Sequence, residues 1–126
     1  MELDFIENIN EFDESVVRLY NFDKSEAILF RDLIKSTIIE RNIRLDLSKI
    51  DFIENRNCNL IFGLFKTDEG MLSVDNKTFY CALTLENYKN MLTLLEPFCN
   101  KDTKSYQYLY DIDNPIDFLF SPAGTW

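Results

Sequence analysis

The chain has 126 residues, with 22 Asp and Glu against 13 Lys and Arg, no histidine, and a formal net charge of −9. That length holds one core without staples, and an apolar content of 46% with 11 Phe and 6 Tyr excludes a disordered chain. The acidic balance disfavours phosphate backbones and anionic membranes and favours a basic partner through steering, although acidity also serves solubility by itself.

Taken in order, residues 1–14 form an acidic amphipathic segment. Glu2, Asp4, Glu7, Glu11, Asp13 and Glu14 are interleaved with Leu3, Phe5, Ile6, Ile9 and Phe12, and no base is present. The spacing of Phe5, Ile9 and Phe12 predicts a short helix docked on the domain's own core, with ordering on a partner as the alternative. The segment lacks the basic region of a signal peptide, and no run approaches the ~20 apolar residues of a membrane span, which predicts a cytoplasmic protein.

Val16 to Phe22 reads as a strand. Asp23 and Glu26 have capping-box spacing ahead of an apolar stripe, Ala27, Phe30, Leu33, Ile34 and Ile38, so a helix is predicted to about Arg41, closed by Asn42. Ile43, Leu45 and Leu47 alternate with Arg44 and Asp46, as in a strand with one wet face.

Cys58 to Leu83 reads as three strands joined by tight turns at Asp68-Glu69-Gly70 and Asn76-Lys77. Side-chain parity places Cys58, Leu60, Phe62, Leu64, Phe79, Cys81 and Leu83 on a core face, with Leu72 and Val74 assigned to it as well. The opposite face is mixed, with Ile61, Gly63, Phe65, Met71 and Tyr80, and something must cover it. A second helix starts at the cap Thr84 and is predicted to end at Pro97. Residues 105–126 form an aromatic segment with a turn at Asp113-Asn114-Pro115 and a last strand at Ile116 to Phe120, expected to pack back on the sheet. The chain is therefore read as a single α+β domain, with a largely antiparallel sheet, a central three-strand meander and two main helices on one face.

The chemistry is mostly negative. Without histidine the usual general base and the commonest transition-metal ligand are missing. Cys58 and Cys81 fall at core parity, too far apart for a disulfide, and Cys99 is the one thiol with a polar neighbourhood. The run Tyr110-Asp111-Ile112-Asp113-Asn114 resembles in its carboxylate spacing the first motif of haloacid-dehalogenase-type phosphatases. Those enzymes carry it on the first strand of a much larger parallel sheet, whereas about fifteen residues follow here and Pro115 comes at once, so the run reads as a structural turn. No catalytic residue, metal site or cofactor is assigned.

The binding candidates are Tyr106, Tyr108 and Tyr110 as an alternating stripe, Asp111 and Asp113 beside them, Trp126, and the mixed-face residues Ile61, Phe65 and Tyr80. The leading expectation is a non-enzymatic protein of bacterial type that binds or inhibits a basic protein, in the manner of an immunity partner, with no nucleic acid bound. The alternatives are a small-ligand-binding or enzymatic domain around Tyr110, Asp111 and Asp113, and a homodimer joined through the mixed face.

Overall fold

A computed structural model describes residues 1–7, 11 and 14–122. The chain forms strands β1 (Glu2–Ile6) and β2 (Ser15–Tyr20), helix α1 (Lys24–Leu33), β3 (Leu45–Asp46), β4 (Glu54–Asn55), β5 (Asn59–Leu64), β6 (Gly70–Leu72) and β7 (Thr78–Leu83). Helix α2 (Leu85–Asn100), β8 (Gln107–Tyr108) and β9 (Ile116–Ser121) complete it. Two mixed sheets result, one ordered β4-β1-β2-β9-β8 and the other β3-β5-β7-β6.

The start of the chain is a strand, not the predicted helix, through Ile6. Leu3 and Phe5 are buried, while Asp4 faces out and takes a two-pronged contact from Arg18 of β2 at 2.7 and 3.0 Å. A two-residue period therefore governs here, and the antiparallel register Leu3↔Leu19 and Phe5↔Val17 carries it across to β2. Ile9 and Phe12, on which the helical spacing rested, lie outside the described residues.

The Asp23–Glu26 capping box forms as its spacing predicts, and the helix beyond Leu33 widens into π-helical turns over Ile34–Glu40. Asn42 then takes a left-handed φ of 51°. Helix α2 runs through Pro97 instead of stopping before it. A proline this close to a helix end removes a single ladder bond, and Phe98 and Cys99 hold the final turn by being buried, with the Phe98 ring 5.0 Å from that of Phe120.

The three-strand meander is corrected. β7 lies between β5 and β6, parallel to β5 (Ile61↔Tyr80, Gly63↔Ala82) and antiparallel to β6 (Met71↔Cys81, Leu72↔Tyr80). The β6–β7 hairpin does form on a left-handed Asn76, φ 58°. The Asp68-Glu69-Gly70 stretch, by contrast, belongs to a strap that passes over the end of β7, where Phe65 N–H donates to Leu83 O and Glu69 N–H to Ala82 O, both at 2.9 Å. The physical reason lies in composition. β7, with Phe79, Cys81, Ala82 and Leu83 all buried, suits an inner position, whereas β6 is three residues long and opens on glycine.

The single sheet with helices on one face is likewise replaced by two sheets and two helices that share one aromatic core. Phe5 of β1 packs on Phe79 of β7 at 4.7 Å and Phe62 of β5 on Phe118 of β9 at 5.8 Å, joining the sheets directly. Phe30 of α1 touches both, with ring centroids 5.9 Å from Phe62 and 5.6 Å from Phe120. Among the described residues no helix is long and apolar enough to cross a membrane.

Candidate functional site

The three tyrosines near the end of the chain have different fates. β8 pairs with β9 in the register Tyr108↔Leu119, which leaves the Tyr106 and Tyr108 rings 50% and 37% exposed, in edge contact with a centroid separation of 5.9 Å. Tyr110 is buried at 7%. Its hydroxyl accepts the Met71 N–H at 3.3 Å and donates to the Ile116 carbonyl, and burial pushes its phenol far up. It is a clamp between the sheets, and the alternating stripe reduces to two exposed rings.

The turn that follows is also structural. Asn114 Nδ2 donates to the carbonyls of Glu69 (2.7 Å) and Met71 (3.1 Å), while its Oδ1 accepts Ile116 N–H at 2.8 Å. These bonds and Tyr110 occupy the outer edge of β6, which would otherwise offer unpaired backbone to another chain. Asp111 and Asp113 project outward from this turn. Among the described residues no group of three or more His, Cys, Asp or Glu is placed to hold a metal ion.

Asp117 was not singled out by sequence, and it changes the character of this surface. It follows Ile116 on β9, where Phe118 and Phe120 turn inward, so parity places its carboxylate on the outer face with Tyr108. Asp111, Asp117 and Tyr108 line one cleft of about 370 Å3 with Leu94 and Ile112. Burial, Glu14 and Asp111, in that order, raise the pKa of Asp117. The Tyr108 phenol is raised by burial and then by Asp117, Tyr106 and Glu14. Elsewhere on the same sheet the acids have cations: Asp4 has Arg18, and Glu2 receives Arg56 Nε at 2.7 Å. Around Asp117 the strongest charged neighbours are other acids.

The mixed face of the four-stranded sheet is a second candidate. Phe65, Tyr80 and Leu72 are 52%, 44% and 41% exposed, Ile61 is half-buried, and a shallow groove of about 180 Å3 runs between them and Arg44. The expected parity of β6 is corrected. Met71, opposite Cys81, is buried, while Leu72, opposite Tyr80, faces out, and Val74 is fully exposed. The Arg44 stem lies over Gly63, with its Cγ 3.4 Å from where a Cβ would sit. Ile116–Ser121 is paired into the other sheet, so these six residues do not cover the mixed face. Trp126 lies outside the described residues.

Behind this face is a contact the sequence did not reveal. The buried Tyr88 hydroxyl enters the β5–β7 ladder, accepts Gly63 N–H at 3.0 Å and lies against the carbonyls of Gly63 and Cys81. The three thiols are buried and unpaired with one another. Burial pushes Cys58 and Cys81 up to about 12, and Cys99 upward too, which leaves little thiolate for nucleophilic chemistry. No protein-family model matches the chain, and no curated protein matches it significantly in sequence.

Proposed function

We propose that this is a non-enzymatic cytoplasmic protein that binds or inhibits a basic protein, taking one or more of its Arg or Lys side chains at the Tyr106–Tyr108–Asp117 surface. The observation that carries the reading is that Asp111, Asp117 and Tyr108 line one cleft, where burial, then Glu14 and Asp111, raise the pKa of Asp117. A cation delivered by a partner relieves that repulsion, and the exposed Tyr106 and Tyr108 rings supply area and a π face for it. The long-range field of a chain with net charge −9 adds steering toward a basic surface.

The enzymatic alternative has less support. Asp111 and Asp113 project from an exposed turn, Tyr110 is spent on backbone bonds, and the thiols are raised. The test of the binding reading is titration of isotope-labelled protein with an oligo-arginine peptide. Amide shifts concentrated at residues 106–111 and 116–118, weakening steadily as salt rises and lost in Asp117→Asn, are the expected result. No binding, or shifts spread evenly over every acidic surface, contradicts it.

A further inference from the structure

β8 is the last strand of its sheet and pairs with β9 on one side only. Leu109 N–H donates to Phe118 O at 2.8 Å, so in this antiparallel register Leu109 and Gln107 turn their backbone groups toward β9, and Tyr106 and Tyr108 turn theirs outward. Among the described residues the Tyr108 N–H and both backbone groups of Tyr106 meet no partner. The Tyr108 carbonyl alone is taken, by Gln107 Nε2 at 2.8 Å. The outer edge of β6 differs in this respect, since Asn114 and Tyr110 occupy it.

We infer that this open edge takes an extended segment of the basic partner as an added strand. The inference rests on the proposed reading of the Tyr106–Tyr108–Asp117 surface and names how the partner is held there. A carbonyl of the incoming strand accepts the Tyr108 N–H whichever way that strand runs, and its alternate side chains fall on the face that carries the Tyr106 and Tyr108 rings. Past Tyr108 the chain bends at Leu109, and the cleft lined by Gln107, Tyr108, Asp111 and Asp117 opens beside the edge.

Two strand spacings, about 10 Å, separate the backbone of an added strand from that of β9. An arginine and an aspartate side chain together span that gap. Arginine suits the place better than lysine, because its planar fork pairs with carboxylates and stacks on tyrosine rings. The same acids, in a chain of net charge −9, discourage a second copy from adding here, which leaves a basic segment as the occupant.

Amide exchange with water, followed by NMR on isotope-labelled protein with and without the oligo-arginine peptide, tests this. In the free protein the Tyr108 N–H is expected to exchange far faster than that of Leu109, which is bonded to Phe118 O. Saturating peptide is expected to slow Tyr108 at least about tenfold and to change Leu109 little. Guanidinium groups that only hover over the surface attract hydroxide and speed exchange, so the sign separates a bonded strand from loose charge. Methylating every backbone nitrogen of the peptide keeps its charges but bars it from a ladder, and is expected to weaken binding at least about tenfold. Binding that is lost in Asp117→Asn, yet leaves Tyr108 exchange unslowed or tolerates methylation, overturns the added strand and leaves the cation site standing. Slowing that persists undiminished in Asp117→Asn overturns the cation site instead, and absence of binding overturns both.

Discussion

Met71 on β6 and Tyr110, in the loop that joins β8 to β9 of the other sheet, are linked by a hydrogen bond from the Met71 N–H to the tyrosine hydroxyl at 3.3 Å. Because the same hydroxyl donates to Ile116 O, one side chain satisfies the edge of β6 and the entry to β9 together. Tyr110→Phe keeps the ring against Phe118 but orphans a buried N–H, which costs about 1–3 kcal/mol. Urea unfolding is expected to show that loss, with faster amide exchange at Met71. An unchanged midpoint means water takes over the hydroxyl's role.

Gly70 depends on the same contact. Its φ is +77°, and a Cβ there would sit 2.8 Å from both Asn114 Nδ2 and Ile112 Cδ1. Gly70→Ala therefore combines backbone strain with collision and is expected to destabilise by about 2–4 kcal/mol. Far-UV dichroism during thermal melting checks it; a variant that melts like the wild type shows the turn can move away.

The hydroxyl of Tyr88 has an equivalent place inside the other sheet. Tyr88→Phe leaves the part-buried Gly63 N–H without its partner in the parallel β5–β7 ladder and is expected to cost about 1–3 kcal/mol. Chemical denaturation measures it, and a loss well under that range means the β5–β7 ladder closes directly once the hydroxyl is gone.

Acid and alkaline behaviour separate two kinds of carboxylate. Asp68 is held below its ordinary 3.8 chiefly by Thr84 N–H, and Asp75 by the N–H groups of Lys77 and Thr78. For Asp46 burial acts upward, but hydrogen bonds from Asn59 and Ser48 outweigh it. A depressed carboxylate adds stability that is complete above 3.8 and is lost as pH falls through the lower folded value. The melting temperature is thus expected to drop below about pH 4, and Asp68→Ala to flatten that drop.

Asp117 has the opposite sign. Its pKa is raised in the folded protein, so its ionisation opposes folding above that raised value, and the penalty disappears as pH falls below the ordinary 3.8. Asp117→Asn is therefore expected to raise the melting temperature at pH 7 and to have no benefit near pH 3, while weakening binding to a basic peptide. Stability gained at the expense of binding is what a site for a cation should show. A melting temperature lowered at pH 7 contradicts the repulsion.

Much of the local structure was legible because it depends on near neighbours in sequence. The Asp23–Glu26 box, the left-handed Asn76 and the inward parity of Leu60, Phe62, Phe79 and Cys81 follow from spacing alone. Strand order was not, since the strap from Phe65 to Glu69 carries the same turn residues as a hairpin and differs only in which strand it reaches. The phase of β6 was misread for the same reason: Leu72 looks as apolar as Met71, and only its pairing opposite Tyr80 turns it outward. Of the site, Tyr106 and Tyr108 were visible as exposed aromatics. Asp117 was hidden because its significance comes from Glu14, which is far away in the chain, and from Asp111, the charged neighbours that act on it among the described residues.

The most direct measurement of the binding proposal is the pKa of the Asp117 carboxyl, followed by carbon NMR with and without saturating oligo-arginine peptide. In the free protein it should lie above 3.8, the ordinary value. A guanidinium seated at the cleft should lower it clearly, while Asp68, already bonded to Thr84, stays where it is. An Asp117 value unmoved by the peptide, or one that moves only as much as the other surface carboxylates, contradicts the assignment of this surface to a basic partner.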